Sequence, residues 1–155
     1  MPSKQLQLID LTGIEVIDDQ HGEILDLVNG LSALSGAHEH PQTAATIDQV
    51  VSLTLNHFAF EEELMEQVGY PFLKVHRRLH DHFIQRLAGY TQRFDAGENV
   101  IDELVGFMSD WLRNHFIQED KDYSPHILAE MGCATEHPRL ASNEGWWGRL
   151  WGRRG

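Results

Sequence analysis

Histidines and carboxylates recur at helical spacing in four separate segments of this 155-residue chain. The seven residues concerned are His21, His57, Glu61, His76, His80, His115 and Asp120. Two of the pairs are four residues apart, so the side chains of each pair lie on one face of a helix. A buried ionisable group without a partner costs folding free energy, so seven such groups that face the same interior require a shared partner. The pattern therefore predicts a metal site.

The donor types narrow the choice of metal and the number of ions. Imidazole together with carboxylate suits iron, zinc, copper or nickel, whereas magnesium and calcium prefer all-oxygen ligands. Seven protein ligands are too many for one ion, and the two carboxylates can bridge a pair. If two octahedral irons share both carboxylates and one solvent-derived oxygen, a single coordination position stays open. The pattern thus favours a dinuclear centre with room for one small molecule.

Apolar residues at three-four spacing predict four helices that position these donors. The expected ranges are about 18–36 with Asp18 as N-cap, 41–68 after the turn at His40-Pro41, 71–95 with Pro71 in the first helical position, and 99–115. The inward stripe of the third helix is expected to include Phe72 and Leu79. Short connections predict an all-α, up-down-up-down antiparallel four-helix bundle. Residues 128–131 are expected to add a short C-terminal helical turn.

Charge and composition exclude several classes of protein. The net charge is −12, and residues 139–155 contribute +3 from four arginines and one glutamate, which leaves −15 for residues 1–138. An acidic body disfavours nucleic-acid binding, which needs a basic surface. The single cysteine, Cys133, allows no internal disulfide and fits a reducing compartment. No apolar run has transmembrane or signal-peptide length, so we expect a cytoplasmic protein.

The combined motifs resemble those of the hemerythrin family, in particular its bacterial single-domain form. The matching segments are Ile17-Asp18-Asp19-Gln20-His21, His57-Phe58 through Glu61-Glu62 to Met65, His76-x-x-x-His80, and Trp111-Leu112-x-x-His115 to Asp120. The resemblance covers residues 10–131. It implies two iron ions, cycling between Fe2+ and Fe3+ with a bridging oxo or hydroxo group, that bind dioxygen reversibly inside a four-helix bundle.

Carried over residue by residue, the resemblance gives each donor a role. His76, His80 and His115 would hold one iron, while His21 and His57 would hold the other, which has the open position. Glu61 and Asp120 would bridge both. Five residues of regular helix turn by about 500°, so Asp120 can reach the irons only if the fourth helix loosens around Gln118-Glu119.

An apolar pocket must exclude water from such a centre. The candidates for its wall are Trp111, Leu112, Phe116, Ile24, Leu25 and Phe58. Phe116 occupies a position that is often aliphatic in the family, which implies a narrower pocket. The family's N-terminal arm usually carries a tryptophan, where this chain has Leu6, Leu8 and Ile9.

The resemblance implies oxygen storage or delivery to oxygen-requiring enzymes, with no catalytic residues. The alternative is a sensor of oxygen, nitric oxide or redox state that acts through the docking of a partner. A third possibility is a di-iron enzyme that consumes peroxide or nitric oxide, which the histidine-rich ligand set disfavours.

The C-terminal end has a composition of its own. We expect residues 1–131 to form the di-iron domain and residues 132–155 to form an appendage. Gly145–Gly155 contains three tryptophans and three arginines, which is typical of a peptide that binds a membrane interface or a protein partner, such as a membrane-bound oxygen-consuming enzyme. The alternatives are a tail that packs on the acidic body and, less favoured, nucleic-acid stacking.

Overall fold

The computed structural model describes residue 12 and residues 14–37, 39–116 and 120–131, without the side chains of residues 120, 121 and 131. The described residues form five helices and no strand: α1 (Glu15–Ala33), α2 (Pro41–Gln67), α3 (Leu73–Asp95), α4 (Ile101–Asn114) and α5 (Asp120–Met131). Helix α1 packs against α2 and α4, and α2 also packs against α3 and α5. The predicted four-helix bundle is confirmed for α1–α4. None of the described helices is long and apolar enough to cross a membrane.

The ends of α1–α4 all lie within three residues of the predicted ones. Helix α1 begins at Glu15, and Asp18, predicted as its N-cap, instead lies in the first turn and accepts hydrogen bonds from the backbone and hydroxyl of Thr12. Helix α2 begins at Pro41 as predicted, and Nδ1 of His40 accepts a bond from the Gln42 N–H. Gly69, with φ of 65°, allows the sharp reversal after α2.

Pro71 does not begin α3, and that prediction is wrong. The N–H of Leu73 bonds to the carbonyl of Tyr70, so Pro71 and Phe72 are the central residues of a turn that precedes the helix. Proline suits the second position of a turn for the same reason that it suits a first helical position, because its φ is fixed near −65°. The residue type alone does not distinguish these two sites.

Helix α5 is longer than the predicted turn at residues 128–131. It begins at Asp120 and contains Pro125, whose missing N–H removes one helical hydrogen bond. Tyr123 and Ile127 are fully buried and pack with Phe60, Leu64 and Met65 of α2. Tertiary packing therefore stabilises a helix that propensity alone does not indicate.

The inward face of α3 is narrower than predicted. His76, His80, Phe83 and Leu87 are buried, at a spacing that keeps them in one stripe. Phe72 and Leu79, predicted to lie in that stripe, are 61% and 40% exposed. Leu79 falls at the edge of the stripe, and Phe72 lies in the turn before the helix. His126 is half-buried on α5, where Nε2 lies 3.2 Å from the carbonyl oxygen of Val68.

Two apolar clusters lie on either side of a polar layer. The larger one is built from all four bundle helices, and the smaller one from the start of α1, the end of α2 and α5. Along α1, Ile17 belongs to the smaller cluster and Ile24 to the larger one, with His21 between them. The same order on α2 places Glu61 between Phe58 and Leu64. The predicted donors therefore form a layer across the bundle. The tail predicted at 132–155 lies outside the described residues.

Candidate metal centre

Six of the seven predicted donors have described side chains, and all six are buried. They are His21, His57, Glu61, His76, His80 and His115, and none is more than 5% exposed. Helices α1 and α4 each position one of them, with His115 directly after the end of α4, and α2 and α3 position two each. They form two groups that share Glu61. Four helices thus bring together residues that are 94 positions apart in the chain.

The first group surrounds one oxygen of the shared carboxylate. Oε2 of Glu61 lies 3.4 Å from Nε2 of His76, 3.3 Å from Nε2 of His80 and 3.2 Å from Nε2 of His115. The i,i+4 spacing on α3 places His76 and His80 side by side, and His115 approaches from the end of α4. Three imidazoles thus present the same ring nitrogen to one point.

The second group surrounds the other oxygen. Oε1 of Glu61 lies 2.7 Å from Nε2 of His57, one turn earlier on α2, and 3.8 Å from Nε2 of His21 on α1. The Nε2 atoms of His21 and His57 are only 3.1 Å apart. The carboxylate of Glu61 therefore separates a group of three imidazoles from a group of two.

This arrangement fits cations better than it fits a hydrogen-bonded protein core. Nε2 of His80 is buried and has no hydrogen-bond partner among the described residues, although it lies 3.3 Å from Oε2 of Glu61. Buried polar atoms are normally paired. Five converging imidazole nitrogens around one carboxylate are the donor set expected for a transition metal.

Hydrogen bonds on the far side of two imidazoles fix their orientation. Nδ1 of His57 lies 2.8 Å from Oε1 of Gln20, and Nδ1 of His80 lies 3.4 Å from Oε1 of Glu62. Both oxygens are acceptors, so each ring carries its proton on Nδ1 and presents the Nε2 lone pair to the centre. The sequence reasoning assigned no role to Gln20 or Glu62, although both lie beside predicted donors in the quoted motifs.

Tyr123 is a third residue that the sequence reasoning missed. Its fully buried hydroxyl donates a 2.8 Å hydrogen bond to Oε1 of Glu61. The only available signal was its position three residues after Asp120. That spacing could not identify it, because the extent of α5 was not predicted.

Burial also sets the protonation of the donors. Desolvation lowers the pKa of His21 and of His80 to about 3, so both imidazoles are neutral ligands near pH 7. Burial opposes ionisation of Glu61, but the neighbouring rings of His57 and His115 outweigh it and hold the pKa of this carboxyl well below its usual value. Burial raises the pKa of Glu62 to about 7, against the effect of Arg77.

Aromatic rings stack on three of the imidazoles. Phe116 stacks on His21 at a centroid distance of 3.7 Å, Phe58 on His80 at 3.9 Å and Trp111 on His115 at 4.6 Å. The other predicted pocket residues, Ile24, Leu25 and Leu112, are buried in the same apolar cluster as Phe58 and Phe116. Apolar and aromatic side chains thus cover one side of the polar layer.

The fourth helix widens at its end, ahead of the predicted loosening around Gln118-Glu119. Helix α4 ends at Asn114, and His115 and Phe116 continue it as a wider π-type turn. Such a turn changes the direction of the following residues. Gln118 and Glu119 lie outside the described residues. The backbone of Asp120 begins α5, but its side chain is outside the description, so its role as a bridge stays a prediction.

Comparison with known proteins identifies the family. The model of the hemerythrin HHE cation binding domain matches residues 12–127. The chain belongs to the hemerythrin family. It is 44% identical over 138 residues to the bacteriohemerythrin of Stenotrophomonas maltophilia (strain R551-3), with 88% of each chain covered. It is 32% identical over 119 residues to that of Methylococcus capsulatus (strain Bath), with 76% of this chain and 91% of the relative covered.

More distant hemerythrins extend the similarity. The myohemerythrin of Theromyzon tessulatum is 29% identical over 109 residues, covering 70% of this chain and 81% of the relative. A crystal structure of wild-type hemerythrin is 31% identical with a TM-score of 0.71, covering 75% of this chain and 90% of that one. The hemerythrin domain binds a di-iron centre, and the buried cluster around Glu61 fits such a centre.

Proposed function

We propose that this chain binds dioxygen reversibly at its di-iron centre and stores it or delivers it to oxygen-requiring enzymes. The observation that carries the proposal is the inequality of the two donor groups. Three imidazoles face Oε2 of Glu61, whereas only two face Oε1. If two ions have the same coordination number, the ion beside His21 and His57 would have one more open coordination position than the other. A small molecule could bind at that position.

The proposed ligand roles follow from this division. His76, His80 and His115 hold one iron, and His21 and His57 hold the other. Glu61, whose two oxygens face the two groups, would be shared by both irons, and Asp120 is the second proposed bridge. When bound, the iron pair supplies the electrons for reversible oxygen binding.

The surrounding residues favour binding over catalysis. Gln20 and Glu62 hold His57 and His80 with Nε2 inward, which fixes the orientation of both rings. The neutral imidazoles leave the site less anionic than a carboxylate-rich di-iron site. Phe116, Phe58 and Trp111 cover the imidazoles and exclude water, with Leu112, Ile24 and Leu25 as further proposed wall residues.

The direct test is anaerobic reduction followed by cycles of oxygen addition and removal, watched by visible spectroscopy. We expect two irons per chain and an oxygen-dependent absorption band that disappears under inert gas. The same sample, supplied with excess reductant and with oxygen or nitric oxide, distinguishes binding from catalysis. Sustained consumption at about 1 s⁻¹ or faster, a typical enzyme rate, contradicts the proposal and favours an enzyme.

A sensor of oxygen, nitric oxide or redox state is the second candidate. It is favoured by a surface cleft whose lining includes His76, so that a change at the centre has a direct route to a docking surface. Amide hydrogen exchange over residues 70–79 tests this candidate. Equal exchange in the oxygen-free and oxygenated proteins contradicts sensing through this surface, and a reproducible difference supports it.

A further inference from the structure

An apolar cleft of about 530 Å³ lies beside the metal centre, between the start of α3 and the first two turns of α5. Phe72, Val75 and Leu79 line it and are 61%, 54% and 40% exposed. They are the exposed large apolar side chains of the described part of the chain. Single exposed apolar residues are ordinary, but three in one concave surface indicate a binding surface.

The lining of the cleft favours an aromatic and cationic occupant. The ring of Tyr70 lies edge-on to Phe72 at a centroid distance of 5.8 Å and to His126 at 5.7 Å, which leaves ring faces and edges for further aromatic contacts. Asp122 is exposed, and it is the one Asp, Glu, Lys or Arg in the described lining. A segment with indole rings and arginines complements such a surface.

A segment of this composition exists in the same chain. Gly145–Gly155 contains Trp146, Trp147 and Trp151 with three arginines and no acidic residue. It follows α5, which forms one wall of the cleft. Met131, the last residue of α5, is five residues beyond His126, or roughly 7.5 Å along the helix axis.

The length of the intervening chain is sufficient for this segment to reach the cleft. Fourteen residues lie between Met131 and Trp146, and an extended chain of that length spans about 50 Å. A tethered segment has an effective concentration on the order of mM, so even weak contacts produce substantial occupancy. A separate partner present at a lower concentration has no such advantage.

We infer that residues 145–155 dock in this cleft of their own chain, with tryptophan rings against Phe72, Val75 and Leu79 and an arginine beside Asp122. Docking covers the residual exposed edge of His76, which is 5% exposed and also lines the cleft. The docked segment therefore slows the access of water and chelators to the adjacent iron.

The test uses the full-length, iron-loaded protein and its tryptophan fluorescence. Val75→Lys combined with Leu79→Lys introduces two cations into the cleft at exposed positions, where the fold tolerates them. We expect the emission to shift to longer wavelength and to become more sensitive to acrylamide, because three of the four tryptophans lie in the segment. Iron release to a chelator should become faster.

The matched control adds the same charges elsewhere. Ala45→Lys with Gln49→Lys places two cations four residues apart at exposed positions of α2, at least 18 residues from the end of that helix, or roughly 27 Å. The control should show the emission, quenching and iron release of the unaltered protein. Iron content and helical circular dichroism confirm that both variants are folded.

A complementary variant alters the segment instead of the cleft. Replacing Trp146, Trp147 and Trp151 by Ser should expose the cleft, which is measured as increased binding of an apolar fluorescent dye and as faster iron release. Adding Val75→Lys and Leu79→Lys to this variant should remove the additional dye binding. This second variant does not depend on the folding of the first.

Three results overturn the inference. Unchanged tryptophan emission in the cleft variant shows that the rings lie elsewhere. If iron release to a chelator becomes slower as the protein concentration increases, the cleft binds the segment of a second copy. If the tryptophans are protected from acrylamide only when anionic vesicles are present, the segment binds a membrane surface. The protein should then co-sediment with the vesicles, and less so as salt rises, in accord with the membrane hypothesis drawn from its sequence.

Discussion

The hydroxyl of Tyr123 donates a 2.8 Å hydrogen bond to Oε1 of Glu61, across 62 positions of the sequence. This contact joins α5 to the carboxylate that both groups of histidines share. It supplies a neutral hydrogen-bond donor to a carboxylate that, among the described residues, five imidazoles surround. The fifth helix therefore contributes to the metal centre and is not an addition to the bundle.

Tyr123→Phe should weaken the hold on Glu61 without changing the fold. Loss of a hydrogen bond to a buried charged group costs about 1.5–3 kcal/mol. We expect a lower thermal midpoint and faster iron loss to a chelator, with the helical content retained. Tyr90→Phe is the control, since this half-buried ring stacks on Phe107 at the other end of α3. Equal iron loss in the two variants contradicts a role for the Tyr123 hydroxyl.

Glu61→Gln should reduce iron retention sharply. The substitution keeps the shape of the side chain but removes the charge and one acceptor oxygen between the two groups of imidazoles. We expect well below two irons per chain by elemental analysis after iron-replete expression. Glu63→Gln, two residues away and half-buried, is the matched control. Two irons in the Glu61 variant mean that this carboxylate is not the bridge.

Leu112→Ala should accelerate autoxidation by admitting water to the proposed pocket. Leu104→Ala is the control, because Leu104 is equally buried in the same cluster but lies eight residues earlier on α4, roughly 12 Å away. Both substitutions should cost about 2–5 kcal/mol of stability through cavity formation. Only Leu112→Ala should shorten the lifetime of the oxygen-dependent absorption band. Equal lifetimes show that Leu112 does not line the pocket.

The stability of the iron-free protein should fall as the pH decreases from 6.5 to 4.5. His21 and His80 have folded-state pKa values of about 3, below the ordinary 6.5, so the unfolded chain binds two protons that the folded chain excludes. Glu62, with its pKa raised to about 7 from 4.5, binds one proton only in the folded chain. The contribution of Glu62 to the free energy of unfolding is therefore present at low pH and is lost as the pH rises through 7.

Summed over these three groups, the unfolded chain binds one proton more than the folded chain between pH 4.5 and 6.5. The free energy of unfolding should therefore change by about 1.4 kcal/mol per pH unit. Glu62→Gln removes the opposing group and should steepen the slope to about 2.7 kcal/mol per pH unit. Urea denaturation at a series of pH values measures the slope, with Glu63→Gln as control. An unchanged slope in the Glu62 variant shows that this carboxyl is not protonated in the fold.

Spacing was sufficient to predict which candidate donors on regular helices face the interior together. His57 with Glu61 and His76 with His80 each share a helix face, and a helix face is a property of the local sequence. Phe72 and Leu79 were placed wrongly because apolar spacing does not distinguish a buried residue from one at the edge of a stripe or one just before the helix. Their exposure depends on how closely α5 approaches α3.

The hydrogen bonds around the donors could not be predicted from spacing. Gln20 meets His57 across two helices, and Tyr123 meets Glu61 through a helix that includes an internal proline. Such contacts depend on the rotation of one helix relative to another, to within a fraction of a turn. The periodicity of a single segment carries no information on that rotation.

The rings stacked on His21, His80 and His115 have a consequence for metal uptake. Each imidazole lies against an aromatic face, and His80 is also bonded on its outer edge. The rotational freedom of these side chains is therefore lost when the bundle folds, and not when iron binds. Iron uptake should have a small conformational entropy penalty, and its rate should be limited by the passage of the ion through the apolar layer.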